Sequence, residues 1–218
     1  MIRASSLATL VLMLAALPAA PDAQAGNVSL NAHGGSLGAG LGAGYAFDDH
    51  WAARVGFNRY SSDSYEWSEG DLDYDAELDL DTVHALLDWH PFGGDFRVTG
   101  GAMANDNRVD GGADVERGDQ IGDNGRAVND GRIGAEVDFR STAPYAGIGW
   151  GSRAGAGLSF NFDLGVMFQG EPDFELRQEE NVIGVSESDL EEEERKLENE
   201  YENYDLYPVV QLGLIYRF

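Results

Sequence analysis

The residues with chemistry in them are few: Arg54, His84, Asp88, His90, Arg97, Asp163 and Arg217. On an extended chain His84, Asp88 and His90 project from one side, because side chains alternate across a strand. An aspartate beside a histidine could orient a general base. No serine lies in register to act as nucleophile, so nucleophile, base and orienter do not come together and no catalytic residues are assigned. The other reading is electrostatic. Charges projected into a confined interior are costly unless they pair. Arg54, His84, Asp88, Arg97, Asp163 and Arg217 therefore make either a network that fills an interior or a path for ions.

Period-two alternation supplies the elements that would position them. From Leu206 to Phe218, Leu206, Val210, Leu212, Leu214, Tyr216 and Phe218 take one side; Tyr207, Val209, Gln211, Gly213, Ile215 and Arg217 take the other. That length suits a tilted membrane-crossing strand, which needs about 9–11 residues. Leu37 to Phe47 sets Leu37, Ala39, Leu41, Ala43, Tyr45 and Phe47 against Gly38, Gly40, Gly42, Gly44 and Ala46. Such glycine alternation fits a wall facing a crowded lumen. Further strands are expected at 27–32, with His33 to Ser36 as its turn, at 51–58, at 72–90 and at 96–103. One long strand is expected from Ile133 to Trp150, with a bulge near Arg140 to Thr142 where the apolar phase changes. Another runs over 158–169.

Short turns at 48–50, 91–94 and 151–155 alternate with one short hairpin and three longer loops. That is the arrangement of an all-β, eight-stranded antiparallel transmembrane barrel with both termini on its periplasmic side. Trp51, Trp89 and Trp150, with Tyr216 and Phe218, fall beside the periplasmic edge on outward positions, where an aromatic girdle belongs.

Composition agrees. The chain has 218 residues, 29 glycines, no cysteine, a formal charge of -25 and a mean hydropathy of -0.33. Its acidity argues against nucleic-acid partners, and the absence of cysteine removes disulfides from the fold. Residues 1–25 read as a secretory signal: Arg3, an apolar run Leu7 to Leu17, and Ala23-Gln24-Ala25 before Gly26. Residues 26–218 form the barrel domain.

The Tyr45-Ala46-Phe47-Asp48-Asp49-His50-Trp51 hairpin, the strand order and the Tyr216-Arg217-Phe218 ending resemble the small eight-stranded outer-membrane proteins of OmpW-like or OmpA-barrel-like type. The short first loop and the long last one depart from the OmpW pattern. The resemblance implies residence in the outer membrane of a Gram-negative bacterium. It makes Leu212, Leu214, Tyr216 and Phe218 the signal read by the β-barrel assembly machinery.

In the outer loops, residues 105–131 read as a solvated acidic loop. Asp106, Asp110, Asp114, Asp119, Asp123 and Asp130 there match no known calcium spacing, and no metal or other cofactor is assigned. Ser188 to Tyr204 reads as an amphipathic helix, with Ser188 and Glu191 as capping box and Glu191–Arg195 and Glu192–Lys196 pairs, lying across the barrel mouth or its rim. The acidic surface would meet lipopolysaccharide through divalent cations. The expectation is a monomeric, non-enzymatic, structural or envelope-associated barrel with a side-chain-filled lumen. A narrow pore for ions or small solutes and a surface interaction module using the acidic loops are the alternatives.

Overall fold

The computed structural model describes residues 27–62, 65–69, 72–121, 125–151, 156–180, 182–201 and 204–218. The leader at 1–25 and most of the turn at 151–155 lie outside them. The strands in chain order are β1 (Val28–Gly35), β2 (Gly38–Ala46), β3 (Trp51–Ser61), β4 (Tyr65–Glu69), β5 (Leu72–Trp89), β6 (Phe96–Asn105), β7 (Arg108–Val115), β8 (Gln120–Ile121), β9 (Gly125–Arg126), β10 (Gly131–Asp138), β11 (Thr142–Gly151), β12 (Gly157–Phe168), β13 (Asp173–Gln178) and β14 (Leu206–Arg217). One helix, α1 (Glu187–Glu200), precedes β14.

Eight strands close into a ring, β1-β2-β3-β5-β6-β11-β12-β14 and back to β1, each antiparallel to its neighbours. Closure leaves no free sheet edge, the condition for a β-structure to cross a bilayer. The alternation sorts the side chains. Leu30, Leu41, Phe57, Leu87, Phe160, Leu164, Leu212 and Leu214 face outward, with Phe160 81% and Leu212 64% exposed. A band of this kind, running round the wall, is one that lipid covers and water would not tolerate.

The first hairpin is longer than its sequence indicates. Strand β1 continues through His33 to Gly35, and only Ser36 and Leu37 turn the chain. Gly38 follows in the left-handed region at φ +86°, where a Cβ would also strike the backbone of Arg59. The turn carries Leu37 away from the outward set and into the lumen mouth, where it is fully buried. Ser36 ties the tip to β14: its hydroxyl donates to the Pro208 carbonyl (3.0 Å) and accepts from the Val210 amide (3.1 Å).

The long strand expected from Ile133 to Trp150 is two strands in different places. β11 belongs to the ring; β10 stands beyond it and pairs with β7 and β13. The change of apolar phase marks the break between them, not a bulge. The segment 105–131 is not a solvated loop either. It supplies β7, which pairs with the upper part of β5, and the small β8–β9 ribbon. Strand β4 pairs with the same upper part of β5. β5 is the common element: its lower half is barrel wall, and its upper half is the middle of an outer sheet ordered β13-β10-β7-β5-β4.

This outer sheet has its own core. Val115, Ala127, Ile133, Val182, Val185 and Leu190 are buried together, with Ile121 and Leu176 against them. Helix α1 packs on β13 and the β8 ribbon, so it buttresses the outer sheet. It begins two residues earlier than the sequence reading placed it: Ser186 is the N-cap, and the Asp189 carboxylate reaches back to accept the Ser186 amide (2.8 Å). Within it Lys196 meets Glu193 at 3.5 Å. Glu194 accepts the Leu176 backbone N–H at 2.7 Å, so a helix side chain covers a group on the outer edge of β13.

Candidate functional site in the barrel lumen

Four of the charged residues singled out by sequence meet inside the ring. Arg54 of β3 binds Asp88 of β5 with two donors, Nε to Oδ2 at 2.5 Å and Nη2 to Oδ1 at 3.0 Å. The same guanidinium reaches Asp163 of β12, Nη2 to Oδ1 at 3.1 Å and Nη1 to Oδ2 at 3.3 Å. Arg97 of β6 donates from Nη2 to both Asp163 oxygens at 2.7 Å, and its Nε stands 3.7 Å from Asp88 Oδ1. Thr99 donates to Asp88 (2.7 Å) and Asn161 to Asp163 (3.2 Å). Two cations and two anions from four strands thus form a neutral, cross-linked quartet, with Asp88, Arg97 and Asp163 each no more than 3% exposed. Burial is tolerable because every charge has an opposite partner at contact distance.

Glycines make the room. A Cβ at Gly149 would lie 2.7 Å from Asp163 Oδ1 and 2.9 Å from Arg97 Cζ; one at Gly56 would lie 2.8 Å from His84 Nε2. Of the alternating glycines of β2, Gly40 leaves room for Asn58 and His33, and Gly42 for Asn31, so these too are gaps into which lumen side chains of other strands extend.

Around the quartet the lumen is filled by two further groups. Leu86, Met103, Ala143, Tyr145, Met167 and Val209 form an apolar cluster that the hairpin tip completes with Leu37, and Tyr207 packs against it. Tyr207 donates its hydroxyl to the Ser36 carbonyl at 2.6 Å, holding the tip down. On the other side His33 of β1 bridges Asn31 (2.8 Å) and Asn58 (2.6 Å), and its ring faces that of His84 at 5.9 Å between centroids.

His84 is thus placed against His33 rather than against Asp88, whose carboxylate is held by Arg54 and Thr99. His90 sits in the turn that follows β5, with Nδ1 2.9 Å from the Gly94 carbonyl. Arg217 lies on the lumen floor, lining a small cavity beneath the quartet together with Arg54, Asp88 and Arg97. His33 was missed because His33-Gly34-Gly35-Ser36 reads as a turn. The signal that could have found it is Ser29-Asn31-His33, a polar phase running on against Val28-Leu30-Ala32.

Outside the lumen, Trp51 stacks on its register partner Trp89 (6.3 Å), and Trp150 packs between Phe96 (5.2 Å) and Phe162 (6.1 Å). All three tryptophans lie at the short-turn end of the barrel and are more than 40% exposed. Leu212, Leu214, Tyr216 and Phe218 face outward in line on the last strand, with Tyr216 and Phe218 ring-to-edge at 5.1 Å.

In the outer sheet the polar face carries carboxylates clamped by arginines. Arg132 bridges Asp114 and Glu179, both at 3.0 Å, and Glu136 takes Arg108 (2.9 Å) and Arg177 (3.1 Å). The Asp138 carboxylate, hydrogen-bonded to the Arg108 guanidinium, holds it charged above its usual range; burial pushes the Asp110 carboxyl up, and the nearby Glu136 adds to this. Of the aspartates weighed for calcium, Asp114 is spent on Arg132, Asp119 accepts the Glu116 amide and Asp130 the Arg117 amide, while Asp123 lies outside the described residues. Among the described residues no three His, Cys, Asp or Glu side chains gather as metal ligands would.

No family model and no curated protein matches the sequence. Solved structures do match. The chain superposes on Acinetobacter baumannii CarO2 with a TM-score of 0.61 and 21% identity, over 88% of this chain and 98% of that one. For Acinetobacter baumannii CarO the TM-score is 0.57 and the identity 19%, over 87% and 97% of the two chains. At these identities the likeness is one of fold. The class it defines, with the closed ring and the lipid-facing band, is the eight-stranded barrel of the outer-membrane type.

Proposed function

We propose that this chain is an outer-membrane β-barrel of a Gram-negative bacterium with a structural, envelope-associated role, its lumen blocked by its own side chains and its outer sheet held above the lipid. The observation that carries this reading is the filling of the lumen, by the Arg54–Asp88–Arg97–Asp163 quartet and by the apolar cluster closed by Leu37. An eight-stranded ring has an interior only just wide enough for side chains, and here large ones occupy it. The barrel is a non-enzymatic monomer, exported by the segment 1–25 and delivered by the β-barrel assembly machinery through Leu212, Leu214, Tyr216 and Phe218. Lipopolysaccharide meets its acidic outer surface through divalent cations. The OmpW-like kinship rests on the hairpin and terminal motifs of the sequence. Refolded protein in planar bilayers tests the lumen: a silent membrane is expected, and reproducible unitary steps would replace this reading with a narrow pore.

A second reading has its own observation. The outer connections form an ordered sheet with a buried core and a charged face, the build of a surface that engages a partner. Deleting residues 171–203 should leave the barrel folded while abolishing adhesion to envelope or host surfaces; unchanged adhesion removes the interaction module.

A further inference from the structure

A cavity of about 490 Å³ opens where the outer sheet leaves the ring, a size within the roughly 300–1,000 Å³ of ligand pockets. It lies between the β10–β11 connection, the β12–β13 connection and the entry to β14. Two of its walls are aromatic: Phe139, and Phe168, which with its register partner Leu206 ends the outward apolar band. The rest is charged. Asp138, Arg140, Glu171, Asp173 and Asp205 line it, and among the described residues only Asp138 of these is ion-paired, to Arg108 at 3.1 Å. The Arg140 side chain runs over Gly170, where a Cβ would lie 3.3 Å from its Nε, and makes no ion pair with the carboxylates. Three free carboxylates to one guanidinium leave the lining negative, and the surroundings do not cancel the excess. Asp138 and Asp173 are register partners, and the next row of the same sheet face sets Glu77, Asp110, Glu136 and Glu175 side by side across four strands. Of that row only Glu136 is ion-paired among the described residues, to Arg108 and Arg177, although like charges in direct register repel. Nowhere among the described residues do three carboxylates converge as on a metal ion, so the charge is laid out for an extended cation.

We propose that this cavity and the acidic sheet face beside it bind a basic polypeptide segment, one lysine or arginine side chain entering the cavity and its neighbours lying along the face. A long cationic side chain suits both kinds of wall. Its methylene stem packs on Phe139 and Phe168, and its charged head meets Glu171, Asp173 and Asp205. Arg140 supplies the opposite polarity, a donor for a backbone carbonyl of the segment, which a simple amine does not carry. Asp173 and Glu175 are spaced as alternate residues of any extended chain, so a segment lying along β13 with basic residues at alternate positions meets both. The partner's charges also relieve the repulsion within the carboxylate row. The assignment rests on the outer sheet serving as an interaction surface and adds the chemistry of what it holds.

The test uses the full barrel refolded in an uncharged detergent and a fluorescein-labelled peptide of alternating lysine and glycine, followed by fluorescence anisotropy at physiological ionic strength. Saturable binding is expected, and none of the same peptide acetylated on its lysines. Asp173→Asn combined with Asp205→Asn should weaken it by about tenfold or more, the loss expected of one charge-assisted contact. Glu187→Gln combined with Glu191→Gln removes equal charge from exposed positions of α1 and should change it by less than about twofold. An equal loss in the two double variants would make the attraction general and overturn the site. So would full displacement of the peptide by spermidine at equal ammonium concentration, which would make the guest a free amine. Where the Asp173, Asp205 variant does not refold, carbodiimide coupling of the peptide to the unaltered protein decides: amide links at Glu171, Asp173 or Asp205 are expected, and links spread evenly over the outer carboxylates would overturn the site. No peptide binding, with adhesion still lost on deleting 171–203, would remove this partner and leave the interaction surface standing.

Discussion

The barrel and the outer sheet are two answers by one chain to the question of what to bury. In the ring the interior holds the arginines and aspartates of the quartet with histidines and asparagines, while Phe160 and Leu212 stand exposed on the outside. In the outer sheet the order reverses: Val115, Ile133, Val182 and Leu190 lie inside, and Arg108, Arg132, Glu136 and Arg177 outside. The strand β5 passes from one regime to the other without a break. The difference teaches that alternation does not encode an inside. It encodes two faces, and the solvent at each height decides which is hidden. Lipid takes the apolar face below and water the polar face above.

The two interiors should therefore fail differently. The largest effect is expected in the lumen. Asp163→Ala removes the carboxylate that Arg54 and Arg97 share and leaves both guanidiniums buried with Asp88 alone to neutralise them. Breaking a buried pair from one side costs about 3–5 kcal/mol. Urea unfolding followed by heat-modifiable gel migration should show a loss of that size. A loss under 1 kcal/mol, about the value of an exposed pair, would mean the quartet is solvated and the contrast with the outer sheet is false.

A smaller and more local effect is expected above. Leu190→Ala empties the centre of the outer core, where α1 meets the sheet. Leucine truncations in cores cost about 2–5 kcal/mol, and this small cluster near solvent belongs at the low end because it has room to collapse. Amide exchange should quicken across 108–138 and 173–200 while the barrel keeps its heat-modifiable shift. If the barrel melts with the outer sheet, the two are one cooperative unit.

The ring was legible because lipid enforces strict alternation over a whole strand. Leu158 to Phe168 and Leu206 to Phe218 show it without interruption, and the short connections at 48–50 and 91–94 lie where the sequence put them. Arg54, Asp88, Arg97 and Asp163 were legible as an inward charge set, since each falls on the polar phase of its strand. The outer sheet was not. β7, Arg108–Val115, is rich in glycine and aspartate, and its strand form comes from pairing with β5 and β10, not from local preference. His33 was lost to two glycines that elsewhere signal a turn but here lie in the strand, with a Cβ at Gly35 meeting β14 backbone. Leu37 was lost because the alternation was run through a turn. In each case the missing information was a partner strand distant in sequence.

The smallest effect sharpens the comparison further, since it concerns protons and should touch only the region in water. The Ser186 hydroxyl, donating to the Asp189 carboxylate at 2.6 Å, holds that carboxyl below its usual range, and the Ser186 backbone N–H adds to the effect. A carboxyl depressed in the folded state contributes stability that is fully present above its unfolded value, about 3.9, and is lost as pH falls through the folded one. Acidification below pH ~4 should therefore fray the start of α1 and quicken amide exchange at 187–192, with barrel amides unmoved. Asp189→Asn keeps the shape without the proton-linked charge, so its helix should be weaker at neutral pH and its exchange flat across the same range. An unaltered acid response in D189N would transfer the effect to other outer carboxylates, among which Asp110 opposes it: its raised value means the folded sheet binds that proton more readily than the unfolded chain does.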